Sequence, residues 1–250
     1  QGYSSAASDV YKRQVSNRLE KTFTSVNFNM MIMIIYALIT IAIFGMWYYA
    51  RYEGNFLPSP KKTFNPMMLA AIVILVPGTQ FAANFIANLT GYIRPDWLQQ
   101  YNELFETSGI TDTTFVTVLY SVILAPICEE LIFRGVTMRC ARKALPFALA
   151  NLMQAALFGL FHLNWIQGIY AFALGIVLGY VCERGGSIYY SIGLHLLFNL
   201  WGTLSGFFPD PGNSVVVSVI VIAVTIVSLT AGFVLFNKGR RKLPINSTGI

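Results

Sequence analysis

Seven long apolar runs divide the chain, and polar or charged residues bound each of them. They cover about Phe28 to Ala50, Phe64 to Leu89, Thr114 to Met138, Ala144 to Leu163, Trp165 to Cys182, Ser187 to Leu204 and Ser214 to Phe236. A helix rises about 1.5 Å per residue, so about 20 residues cross the roughly 30 Å of bilayer hydrocarbon. The expected fold is all-α, a polytopic transmembrane helical bundle of seven spans, or eight with one more ahead of the first. Pro77-Gly78 and Pro126 predict irregular backbone inside the second and third runs. Residues 1–14 are polar and lack a signal-peptide pattern, so they read as a foreign or disordered tail. Residues 15–250 then form a single membrane domain, with its chemistry concentrated at about 115–205.

Composition agrees with the pattern. Hydrophobic residues make up 55% and charged residues 11%, against about 25% charged in an ordinary soluble domain. Mean hydropathy is +0.58. The net charge of +6 sits in short loops and tails. Arg51/Lys61/Lys62, Arg139/Arg142/Lys143 and the cluster from Lys238 to Lys242 fall on one side. The acidic 91–113 loop and the Asp210 loop fall on the other. This fits the positive-inside rule with the basic side cytoplasmic, and gives no basic face for a nucleic acid. Lys12, Arg13, Arg18 and Lys21 conflict with seven spans, and an eighth removes the conflict. Cys128, Cys140 and Cys182 show neither zinc spacing nor a disulfide framework and read as core residues.

Ionisable groups inside the apolar runs are few, and each is costly to bury in lipid. The third run carries Glu129-Glu130 and Arg134. Glu130 and Arg134 are four apart, share a helix face and can pair. Glu129 points about 100° away and is left as a free carboxylate. The only two histidines lie in the fourth and sixth runs. Phe158 and His162 share a face, as do His195 and Asn199, whose imidazole and amide can both donate toward one spot. Helix rises put Glu129 about 21 Å and His162 about 27 Å from a cytoplasmic boundary near Lys143, which brackets mid-membrane. One free carboxylate, two imidazoles and an amide fit two mechanisms. Glu129 and His162 activate water while His195 and Asn199 hold the oxyanion. Alternatively Glu129, His162 and His195 bind a metal such as zinc, with an open position for water.

Glu129-Glu130-x-x-x-Arg134, Phe158-x-x-x-His162 and His195-x-x-x-Asn199, in this order, resemble the three-motif signature of the CPBP family. That family comprises CAAX proteases and bacteriocin-processing enzymes, also called Abi or type II CAAX prenyl endopeptidases. The motifs match without departure over about residues 115 to 205. The resemblance implies an intramembrane endopeptidase, integral to a prokaryotic plasma membrane, that acts on membrane-associated proteins or peptides. It implies catalytic roles for Glu129, His162, His195 and Asn199 and supporting roles for Glu130, Arg134 and Phe158. No cofactor is required in the favoured mechanism, and zinc is the alternative. No His-Glu-x-x-His, mid-span aspartate or rhomboid Gly-x-Ser-Gly spacing occurs, so other intramembrane proteases fit worse. A proton-coupled transporter would use the same groups as a relay, but no inverted repeat is visible. A non-catalytic scaffold or bacteriocin-immunity member is the remaining alternative.

Structural roles account for much of the rest. Gly168, Gly175 and Gly179 predict close helix packing, the last two in small-x-x-x-small spacing. Trp47, Tyr48, Tyr49, Trp165, Tyr189 and Tyr190 lie near span ends, as interface anchors do.

Overall fold

A computed structural model of the chain describes residues 12–17, 26–50, 64–108, 114–205 and 214–241. Its helices are α1 (Val26–Tyr48), α2 (Pro66–Ile93), α3 (Pro95–Ser108), α4 (Phe115–Ala141), α5 (Phe147–Phe161), α6 (Trp165–Gly185), α7 (Ile188–Ser205) and α8 (Val215–Arg241). Among the described residues there is no strand. Residues 12–14 of the expected tail belong to an exposed helical turn. The rest of that tail, the loop with Lys61 and Lys62, Asp112, the Asp210 loop and Lys242 lie outside the described residues.

The all-helical, membrane-spanning expectation is met, and its count of spans is met in part among the described residues. Five helices, α1, α2, α4, α6 and α8, are long and apolar enough to cross a membrane. The fourth run yields only the 15 residues of α5, about 22 Å of rise. The sixth yields the 18 residues of α7, whose apolar character is diluted by His195 and Asn199. The two helices that fall short are those that carry the histidines.

Local chemistry fixes the helix ends. Asn65 caps α2 by accepting the Met67 N–H, with Pro66 in the first turn where its missing donor costs nothing. Its side chain also donates to the Gly239 carbonyl at 3.0 Å, and its N–H donates to the Tyr190 hydroxyl at 2.9 Å. One residue thus ties the start of α2 to α7 and α8. Asn164 caps α6 by accepting the Gln167 N–H, and Gly186 ends α6 at φ +68, a left-handed stop that favours glycine.

α8 packs along α2 over three glycines. A Cβ on Gly78, Gly232 or Gly239 would meet atoms 2.6–2.7 Å away. At the expected Pro77-Gly78 irregularity the Ser228 hydroxyl enters the helix ladder. It accepts from the Gly78 N–H at 2.9 Å and donates to the Ile74 carbonyl, so a side chain of α8 bridges a broken turn of α2. α5 and α6 also meet closely, since a Cβ on Gly159 would lie 2.5 Å from the Gly168 carbonyl oxygen. Trp97 of α3 stacks on Trp165 at 5.3 Å, which docks α3 on the start of α6. Beside it, the hydrogen bond from Arg94 holds the exposed Asp96 carboxyl below its usual range. The apolar core joins α2, α4, α5, α6, α7 and α8 through Leu75, Phe133, Phe158, Leu178, Leu194 and Phe236.

Candidate functional site

α4 is not uniformly α-helical. π-helical turns at Leu119–Leu124 and Leu131–Met138 flank the segment Ala125–Glu130. In the first, the Ala125 N–H donates to the Tyr120 carbonyl five residues back. The next bond of that series would run from residue 126 to Ser121, but Pro126 has no N–H. The Ser121 carbonyl is taken instead by the Asn199 side-chain amide of α7 at 2.8 Å. Inserted turns of this kind concentrate at functional sites. Here the proline and the asparagine together lock α7 onto α4 about two turns from the glutamate pair.

The glutamates occupy different environments. Glu130 and Arg134 are fully buried and pair at 2.8 Å, as their spacing predicts. Removing one partner of such a pair costs about 3–5 kcal/mol, because the other charge is left buried. His195 approaches the same carboxylate, its Nδ1 2.9 Å from Glu130 Oε1. A carboxylate only accepts, so the ring donates from Nδ1 and presents Nε2 on its far side. That Nε2 lies 3.6 Å from Glu129 Oε2. His195 therefore stands between the two glutamates. Glu129 is less enclosed, with 17% of its side chain accessible. It lines a cavity of about 40 Å³ with Tyr36 and Ala37 of α1, Tyr120 and Cys128 of α4, and Phe161 of α5. One water needs about 10–15 Å³ of such space, so water fits beside the carboxylate.

His162 ends α5. Its Nδ1 lies 2.8 Å from the Phe158 carbonyl oxygen, which likewise makes Nδ1 the donor and leaves Nε2 outward. Leu163 follows at φ +54, a left-handed conformation uncommon for leucine. It turns the chain sharply after the histidine. The Phe158 ring packs edge-on against His162 and His195, with centroids at 4.9 and 5.8 Å, and the Arg134 guanidinium lies 4.5 Å from its centroid. Phe158 thus contacts both imidazoles and the buried cation.

All seven residues singled out in the sequence thus lie on α4, α5 and α7, linked through Phe158, Glu130 and the Asn199–Ser121 bond. The oxyanion expectation changes in one respect, because one N–H of Asn199 serves the Ser121 carbonyl and only the second is free to donate elsewhere. Sequence reasoning missed Asn151 and Gln154, polar residues three apart within the apolar fourth run. It also missed Tyr36 and Tyr120 of the cavity. Both histidine tautomers would suit a metal, which takes the unprotonated nitrogen. However, among the described residues no three His, Cys, Asp or Glu side chains cluster to hold an ion.

Residues 111–201 match the family described as Rce1-like, type II CAAX prenyl endopeptidase. The match includes all three motifs and supports placement in the CPBP/CAAX protease family. A membrane endopeptidase of the CAAX type, with peptide substrates and an integral membrane location, is the general class that the match and the apolar helices support. No curated protein and no solved structure matches the chain.

Proposed function

We propose that the chain is an intramembrane endopeptidase in which Glu129 and His162 activate water and His195 and Asn199 stabilise the oxyanion. The observation that carries this reading is the asymmetry of the adjacent glutamates. Glu130 is sealed and engaged by Arg134 and His195, whereas Glu129 faces a cavity with room for water. The water oxygen attacks the scissile carbonyl carbon and its proton passes to Glu129. The negative charge that develops on the carbonyl oxygen is met by the second N–H of Asn199 and by His195, which donates from Nε2 only as the imidazolium, with Nδ1 still bonded to Glu130. The carbon–nitrogen bond then breaks, and Glu129 returns the proton to the leaving amine. His162, with Nδ1 held by the Phe158 carbonyl, keeps Nε2 as an acceptor for a proton of the water. Glu130, Arg134 and Phe158 hold the two rings. The substrates are peptide or membrane-protein segments, in a prokaryotic plasma membrane.

The test is purified protein on a panel of membrane-anchored and soluble peptides, with and without a strong chelator. The reading expects cleavage of at least one anchored peptide that survives chelation. Cleavage lost on chelation and restored by zinc would replace it with the metal-dependent mechanism. Absence of cleavage across the panel would count against the enzyme.

A further inference from the structure

Two polar side chains of α5 lie outside the three motifs yet belong to the same buried network. Gln154 is fully buried. Its Nε2 donates to the Gly175 carbonyl of α6 at 2.9 Å and to Asn151 Oδ1 at 2.7 Å. Asn151 Nδ2 donates in turn to the Ile176 carbonyl at 3.0 Å. The Gly175 oxygen has a second side-chain donor, Arg134 Nη2 at 3.3 Å. A single backbone oxygen thus joins Gln154 to the cation that holds Glu130 and, through it, His195.

The glycines of α6 make this possible. A Cβ on Gly179 would lie 1.9 Å from Asn151 Oδ1 and 2.7 Å from Gln154 Nε2, and one on Gly175 would lie 3.1 Å from Ala155. Bare backbone lets the amides reach carbonyls that the helix itself already uses. An apolar side chain at either position would pack α5 on α6 without this cost. Burying two amides in a membrane bundle costs free energy unless they are fully bonded, so their presence calls for a role that packing does not supply.

We propose that Gln154 is a positioning residue. With the Gly175 carbonyl it sets the direction of the Arg134 guanidinium, and so the Glu130 carboxylate that fixes the tautomer and plane of His195. The inference rests on the proposed proteolysis only for its kinetic readout. Arg134 has one bond to Glu130 at 2.8 Å and one to Gly175 at 3.3 Å, and its Nε has no partner among the described residues. Its aim therefore depends on where the Gly175 oxygen stands.

The experiment compares the full-length wild type with Gln154→Leu, and with Gln154→Met should leucine fail to fold. Asn237→Leu, which removes an α6–α8 hydrogen bond elsewhere in the bundle, is the control. The first readout is the nitrogen-15 NMR spectrum of labelled imidazoles, of which the chain has only two. The Nδ1–H signal of His195 is expected to broaden or to report mixed tautomers in the Gln154 variants. The His162 signal should stay, and Asn237→Leu should change neither. The second readout, where the wild type cleaves, is kinetic. Misaiming a catalytic group is expected to lower kcat about 10- to 100-fold with KM within about twofold. An unchanged His195 signal, or the same change in Asn237→Leu, would overturn the proposal even if the protein proves to be no protease. A wild type that cleaves nothing while the His195 signal responds would leave the positioning role standing and remove the protease.

Discussion

Two helices of this bundle carry an internal proline, and each is repaired from a neighbouring helix. In α2 the Ser228 hydroxyl bridges Gly78 N–H and the Ile74 carbonyl beside Pro77. In α4 the Asn199 amide takes the Ser121 carbonyl that Pro126 leaves without a donor. The repairs follow from the same rule, that backbone groups at membrane depth must find partners. Their surroundings differ. The α2–α8 seam is glycine-lined, and the Ser228 hydroxyl bonds there to backbone groups. The α4–α7 seam adjoins two glutamates, an arginine and a histidine. A broken helix marks where backbone needs help. It marks a site only where charged groups that could have been avoided share the place.

The largest effect should come from the charged network itself. Glu130→Ala leaves Arg134 buried and unpaired and should destabilise the fold by about 3–5 kcal/mol, visible as a lower midpoint in detergent unfolding and as lost cleavage. The next pair divides the two seams. Asn199→Leu and Ser228→Ala each orphan buried backbone groups and should each cost about 1–3 kcal/mol. Peptide cleavage should fall in Asn199→Leu beyond what instability explains, and survive in Ser228→Ala at temperatures where it remains folded. Equal losses in both would erase the distinction between repair and site.

Packing changes should be smaller. Gly179→Ala drives a methyl into Asn151 and Gln154 and should cost about 1–3 kcal/mol. At Gly193 a Cβ would meet nothing within 4 Å, so Gly193→Ala should be neutral or stabilising by up to about 1 kcal/mol. Thermal unfolding of the two variants side by side measures the contrast.

Local spacing carried far in this chain and tertiary repair did not. The Glu130–Arg134 pair, the Phe158–His162 contact and the close approach at Gly175 and Gly179 were readable, because each depends on helix geometry over three or four residues. Pro77 and Pro126 told where the helices would be irregular. They did not tell how, because the partners, Ser228 and Asn199, lie 151 and 73 residues away in the chain. Nor did spacing show His195 seated between both glutamates. The expected seven or eight spans are met in part, by five helices of spanning length and apolarity among the described residues, for a related reason. α5 ends early, at His162 and the left-handed Leu163, and α7 gives up apolar residues to the site. An apolar run in the sequence therefore need not become a helix of spanning length where chemistry shares the segment.

The central claim is that Glu129 is the free carboxylate that moves the proton, while Glu130 is structural. Glu129→Gln keeps the shape of the side chain and removes its basicity. Assayed on a peptide the wild type cleaves, with folding monitored by circular dichroism, it should unfold like the wild type and cleave about 10²- to 10⁴-fold more slowly. A folded Glu129→Gln protein that cleaves at the wild-type rate would contradict the account.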